Sequence, residues 1–180
     1  MNDSGPRKIR VLVVDDSAYM CRAIRRMVEG DPALEVVGEA RDGTQCLERI
    51  AALSPDVVTL DVEMPVMDGL TALREIVAKF RTKVVMLSSL THVGSDTALQ
   101  SLELGAFDFV PKPGDSAVEI FRVAKELTAK IRAAASASAS AWVSPAASPP
   151  ASATASPAPS PAACDLQIIV IGISTGAPPH

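Results

Sequence analysis

Five side chains able to do chemistry stand at or just beyond the ends of four short runs of branched apolar residues. Asp15 and Asp16 follow Ile9–Val14, Asp61 closes Val57–Asp61, Ser88 closes residues 84–88, and Lys112 comes two positions after residues 107–110. Three carboxylates brought within a few ångströms of each other repel and raise their own pKa values unless a cation neutralises them. A donor set of oxygens, with no His or Cys beside it, favours a hard divalent ion, and Mg2+ suits a site that keeps waters for a phosphate. An aspartate in such a place can act as a nucleophile and carry an aspartyl phosphate, the role open to Asp61. Lys112 would then pair with phosphoryl oxygens as a point charge, and the Ser88 hydroxyl would donate a hydrogen bond to the new dianion.

Each residue alone has a plainer reading. Asp16 or Ser17 can cap a helix, Asp61 can form a turn, Ser88 can be a loop hydroxyl, and Lys112 can be a solvated charge. Their joint spacing favours the site: Asp16, Asp61, Ser88 and Lys112 are separated by 45, 27 and 24 residues, each a strand-to-strand interval.

The elements that must position these groups alternate five times between strand and helix patterns. Nearly continuous Ile, Leu and Val over Ile9–Val14 predicts a strand covered on both faces. Met20, Ile24, Met27 and Val28 mark the first helical stripe, stopped by Gly30, Asp31 and Pro32. Leu34–Ala40 reads as the second strand, and Leu47, Ile50 and Ala51 as the second stripe, ended by Ser54 and Pro55. Val57–Asp61 is the third strand. After a loop over 63–69, Leu70, Leu73, Val77 and Phe80 form a third helical face, followed by a strand over 84–88. A weaker helix is expected over 95–104, a short strand over 107–110, and a last helix on Ile120, Val123, Ala124, Leu127 and Ile131. The pattern predicts an α/β fold, a flavodoxin-like (βα)5 doubly wound parallel sheet of strand order 2-1-3-4-5. Ligands of such sheets bind beyond the carboxyl ends of the strands, where the five polar groups would gather.

Composition narrows the partners. The 180 residues hold 17 Lys and Arg against 21 Asp and Glu, a net charge of -4, so no basic face is available for nucleic acid. No apolar run is long enough for membrane insertion and the N-terminus lacks a signal-peptide pattern, so the expected location is cytoplasmic. Cys21, Cys46 and Cys164 have neither paired spacing nor nearby His; the first two read as small buried hydrophobes, and Met20, Met27 and Met86 as core packing. Residues 133–163 are Ala, Ser or Pro at 28 of 31 positions and carry no charge, with Trp142 and Val143 the sizeable apolar groups. This composition predicts a disordered linker between a domain over 1–132 and a short tail over 164–180.

Over residues 8–132 the sequence resembles the receiver domain of bacterial response regulators. The resemblance rests on Val13-Val14-Asp15-Asp16-Ser17, the stretch from Leu60 to Gly69 containing Asp61, Glu63, Met64, Pro65 and Asp68, Met86-Leu87-Ser88-Ser89-Leu90-Thr91, and Phe107-Asp108-Phe109-Val110-Pro111-Lys112-Pro113. It implies Asp61 as phospho-acceptor, Asp15 and Asp16 as the Mg2+-binding acids, and the carbonyl of Glu63 as a further ligand. It also implies Ser88 and Phe109 as a two-residue switch, and a Lys112–Pro113 bond that is often cis. The stretches from Asp61 to Gly69 and from Ser88 to Thr91 are most similar to the receiver of chemotaxis protein-glutamate methylesterases.

The tail extends this resemblance. Residues 167–171 read as a buried strand running into Gly172-Ile173-Ser174-Thr175-Gly176, and Ser174 matches the nucleophilic serine of the methylesterase family, although Ala177 stands where a second Gly is usual. The same turn fits G-x-S-x-G, the nucleophile elbow of another hydrolase class. A serine nucleophile needs a base and an orienting acid; the family's partners come later in its chain, and His180 is too near Ser174 to serve. Residues 164–180 thus read as the truncated start of a catalytic domain, and no esterase turnover is expected from this chain. The resemblance implies a chemotaxis histidine kinase as phosphodonor, the methylesterase domain as the controlled partner and chemoreceptors as its substrates. Two other readings stay open: a stand-alone binding switch or phosphate sink, and a flavin or nucleotide binder, the latter disfavoured because Asp15-Asp16-Ser17-Ala18 replaces a glycine loop after the first strand.

Overall fold

The computed structural model describes residues 7–89, 96–114 and 116–137. In chain order the elements are β1 (Ile9–Val14), α1 (Ala18–Glu29), β2 (Leu34–Ala40), α2 (Gly43–Leu53), β3 (Val57–Asp61), α3 (Gly69–Lys79), β4 (Lys83–Ser88), α4 (Asp96–Glu103), β5 (Asp108–Pro111) and α5 (Ala117–Ser136). The strands form one parallel sheet in the order β2-β1-β3-β4-β5, as the alternation predicts.

Alternate strand residues enter opposite layers of core, the period of two that a pleated strand imposes. Val11, Val13, Val57, Val85, Leu87 and Val110 meet α1 and α5 through Ile24, Val28, Leu127 and Ile131. Leu12, Val14, Leu60, Val84 and Met86 meet α2 and α3 through Cys46, Ile50, Leu73 and Ile76 on the other face. Away from the strand ends the sheet buries one polar residue, Thr59 of β3, whose hydroxyl donates to Leu12 O at 3.5 Å.

Three helix starts are fixed by side-chain caps that satisfy otherwise unpaired N–H groups. Ser17 Oγ accepts from Met20 N at 3.3 Å, Asp42 Oδ1 from Gln45 N at 2.9 Å, and Asp68 Oδ1 from Thr71 N at 2.8 Å. Ser17, not Asp16, therefore caps α1. Cys21 and Cys46 are free and fully buried, and burial pushes their thiols up to about 11 and about 12.

The structure departs from the sequence pattern in a few places. Ala51 is exposed and Cys46 takes its place on the buried face of α2. Ile120 is exposed because residues 116–122 all stand clear of the core, so the buried stripe of α5 begins at Val123. All described peptide bonds are trans, Lys112–Pro113 included. The C-terminal helix also runs on to Ser136, past residue 132, and buries Ala134 completely. Its physical reason lies in alanine itself, the strongest helix former, which continues a helix across a change of composition that reads as a linker. Residues 138–180, including Cys164, Ser174 and His180, lie outside the described residues, as do residues 90–95. No described helix is long and apolar enough to cross a membrane.

An unpaired carboxylate forced into the core at residue 134 tests that extension. Ala134→Asp is expected to lower unfolding stability by about 3 kcal/mol, the range for a buried unpaired charge. Urea denaturation measures it, and a change within about 0.5 kcal/mol, typical of surface positions, would place residue 134 outside the domain.

Candidate functional site

The parallel register brings the predicted residues to one edge of the sheet. Val14 pairs with Leu60, Asp61 with Leu87, and Ser88 with Pro111, so Asp15, Asp61, Ser88 and Lys112 climb in steps across β1, β3, β4 and β5. Asp15 is fully buried and Asp61 is 1% exposed, whereas Asp16 is exposed at the rim. One carboxylate oxygen from each of the three lies within 4.8 Å of the others.

Lys112 reaches over β4 to bridge the two buried acids. Its Nζ stands 2.8 Å from Asp15 Oδ2 and 2.7 Å from Asp61 Oδ2. The remaining oxygens are held by backbone: Asp15 Oδ1 accepts from Ser17 N at 2.9 Å, and Asp61 Oδ1 from Glu63 N at 3.3 Å. Neither Oδ2 receives a well-directed hydrogen bond, although both are within ion-pair distance of the ammonium. Lys112 thus neutralises these oxygens without saturating them.

Burial raises the Asp61 carboxyl above its usual range, Lys112 works against that rise, and the Asp15 charge adds to it. For Lys112 the largest influence, burial, disfavours its charge, but the close carboxylates of Asp15 and Asp61 together outweigh it and hold the ammonium above its ordinary value. One cation against as many as three carboxylates leaves an excess of negative charge. An oxygen-only donor set with two buried oxygens lacking directed partners fits a hard divalent cation such as Mg2+.

The surrounding loops are shaped to approach the site closely. Gly69 N donates to Val62 O at 2.9 Å, and a Cβ on Gly69 would fall 2.0 Å from the Asp61 carbonyl oxygen, so no larger residue fits. Met67 N donates to Pro65 O at 2.7 Å around Val66, whose φ is 67°. This is a γ-turn of the rare positive-φ kind, strained for a β-branched side chain. Across the pocket Ser89 Oγ donates to Glu63 Oε2 at 3.1 Å, linking the β4 end to the β3–α3 loop. Lys112 N donates to Ser88 O at 2.8 Å, so the lysine-bearing turn is tied to the Ser88 backbone.

Phe109 is half-buried, its ring against the α2–α3 side of the core. Lys130 of α5 lies 5.3 Å from the ring centroid and donates to Phe109 O at 2.6 Å and to Asp108 Oδ1 at 3.1 Å. Sequence reasoning found the acids, Ser88 and Lys112. It did not find the close approach at Gly69, the γ-turn at Val66 or the hold of Lys130 on Phe109; an Asp-Gly pair is a turn signal, but the other two depend on contacts between distant elements. Ser174 lies outside the described residues.

Residues 11–123 match the family model described as response regulator receiver domain. The chain belongs to the response regulator receiver domain family. Among solved structures, this receiver is similar to the response regulator domain of Thermotoga maritima CheB, with 44% identity, a TM-score of 0.68, and coverage of 73% of this chain and 99% of that one. It is also similar to a chain in the complex of the P1 domain of CheA3 with CheY6 from R. sphaeroides, at 36% identity and a TM-score of 0.63, covering 73% of this chain and 99% of that one. A protein-glutamate methylesterase/protein-glutamine glutaminase of Caldanaerobacter subterraneus subsp. tengcongensis is 40% identical over 179 residues, which are 96% of this chain and 49% of that protein. The receiver is therefore of the chemotaxis methylesterase type, and the chain spans between about a third and a half of the length of the curated relatives it matches.

Two outcomes follow from this receiver's pocket. Lys112→Met strands two buried carboxylates and should cost about 3 kcal/mol at neutral pH. With the folded-state carboxyl pKa raised, that loss is present above the raised pKa and fades as pH falls through it, so the variant should regain stability relative to wild type on acidification; denaturant midpoints across pH check this. Val66→Asn, which tolerates the left-handed backbone, should raise stability by about 1 kcal/mol in the same assay.

Proposed function

We propose that the receiver accepts a phosphoryl group on Asp61 and thereby controls a linked protein-glutamate methylesterase that acts on chemoreceptors. The carrying observation is the pair of buried carboxylates bridged by Lys112, whose outer oxygens keep unfilled lone pairs beside exposed Asp16. Asp15, Asp16 and Asp61, with the Glu63 carbonyl, would hold Mg2+. Bound there, the ion supplies positive charge against the phosphoryl oxygens and the acids.

The chain's own groups do the rest. An Asp61 carboxylate oxygen forms the new bond to phosphorus as the bond from phosphorus to the donor imidazole nitrogen breaks, and that electron pair leaves with the imidazole, which takes up a proton. Lys112 turns from the carboxylates toward the incoming oxygens, where its compact ammonium offsets about two added negative charges. Ser88, at the neighbouring strand end, donates its hydroxyl to the phosphoryl group, and the vacated space draws Phe109 inward. The outer face around α4 and β5 is the surface this exchange changes.

The donor is a phosphohistidine on a chemotaxis histidine kinase; similarity to a chain solved together with a CheA3 P1 domain supports this. A receiver that runs to the end of α5 at Ser136, a linker from there to residue 163 and the start of a catalytic domain over 164–180, with Ser174 as its nucleophile, complete the proposed organisation, and the alignment to a methylesterase over 96% of the chain supports it. The proposed place of action is the cytoplasm.

Incubation with a small phosphodonor is expected to label the chain only when Mg2+ is present. Chelation by EDTA and Asp61→Asn should each abolish the label, measured by intact mass and hydroxylamine lability. Label persisting in Asp61→Asn would remove Asp61 from this role.

A further inference from the structure

β5 ends the strand order, so the outward edge of its backbone borders no other strand of the sheet. On that edge an ion pair does what a neighbouring strand would do. Asp108 Oδ1 accepts from Phe109 N at 2.7 Å, and Lys130 Nζ, brought by α5, donates to Phe109 O at 2.6 Å and to Asp108 Oδ1 at 3.1 Å. Glu126 Oε1, one turn earlier on α5, stands 3.0 Å from the same ammonium. Three oxygens thus meet the three N–H donors of one lysine, which fixes where its charge sits. That charge lies 5.3 Å from the centroid of the Phe109 ring.

We infer that Lys130 is a positioning residue for Phe109: its ammonium holds the ring in the resting place, and the ring turns inward only by giving that charge up. The inference rests on the proposed acceptor role of Asp61 and adds to it the group that restrains the switch.

Two observations carry it. The first is that the hold falls on backbone and ring together. With the N–H and C=O of Phe109 both filled, the ring is left to move by side-chain rotation, against the attraction of a cation for an aromatic ring. The second is register. Met86 pairs with Phe109 and Ser88 with Pro111, so Ser88 lies one step farther along the face that Met86 and Phe109 share. The ring therefore stands between two claims, the ammonium at the open edge and the space beside Ser88. A cation on a ring at a partly exposed site changes an equilibrium by a factor of about two to five. That is enough to bias a two-state side chain without locking it.

Fluorine NMR of the full 180-residue chain carrying 4-fluorophenylalanine reads the ring directly. The chain has four phenylalanines, and Phe109→Leu identifies the line of residue 109. The change in that line between H2O and D2O measures how far the ring is open to solvent. Mg2+ with beryllium fluoride, a phosphoryl mimic, is expected to reduce this solvent effect in the unaltered protein. Lys130→Met, which keeps an unbranched stem and drops the charge, should reduce it before any mimic is added. Labelling of this variant by a small phosphodonor should be about threefold faster. Lys130→Arg, which keeps a cation for the ring, should restore both values, and helical circular dichroism should be the same in all three proteins. A solvent effect in Lys130→Met equal to that of the unaltered protein would overturn the inference. So would labelling of Lys130→Met no faster than that of the unaltered protein, or an equal displacement in Lys130→Met and Lys130→Arg. If Asp61 is not the acceptor, the mimic changes the line in none of the proteins and none is labelled, whereas the reduced solvent effect in Lys130→Met remains and supports the hold on the ring.

Discussion

Repulsion among carboxylates at one edge of the sheet is the constraint on which this structure turns. Two of the acids, Asp15 and Asp61, are taken almost entirely out of water, and a third, Asp16, stands beside them. The ammonium of Lys112 is the charge that makes this tolerable, and it arrives from β5 by crossing over β4. A long flexible stem ending in a compact charge suits that task better than the planar fork of an arginine, since one charge must stand between two oxygens from different strands.

Around that contact the fold spends its irregularities. Asp61 ends β3 where the chain must turn at once, and the turn presses Gly69 against the Asp61 carbonyl with no room for a side chain. Val66 accepts a left-handed backbone in the same loop. Strain of this kind collects where a rigid scaffold must aim chemistry. Away from the site the departures are few, a register shift between β1 and β2 at Val11/Leu12 and a left-handed Ser54 ending α2, while the inner strands alternate between two apolar layers and the caps at Ser17, Asp42 and Asp68 start their helices.

Much of this was legible in the chain. Continuous Ile, Leu and Val runs mark parallel strands because both faces are covered, and a group placed after each run must emerge at the carboxyl edge; that logic alone finds Asp15, Asp16, Asp61, Ser88 and Lys112. What stayed hidden depends on contacts between distant parts. The end of α5 was obscured because Ala-rich sequence satisfies both a helix and a linker, and only packing of Ala134 against the core separates them. Ile120 keeps the helical period yet lies in the first turns of α5, where every residue is exposed. The hold of Lys130 on Phe109 joins residues 21 apart, and no local pattern records it.

The excess of negative charge left after Lys112 is counted is the physical basis for a divalent ion, and through it for the proposed acceptor role of Asp61. Calorimetric titration of the chain with Mg2+ tests that basis most directly. One ion per chain, with uptake weakened when any of Asp15, Asp16 or Asp61 is replaced by its neutral counterpart, is the predicted result. Absence of uptake, or uptake unchanged by all three replacements, would contradict it.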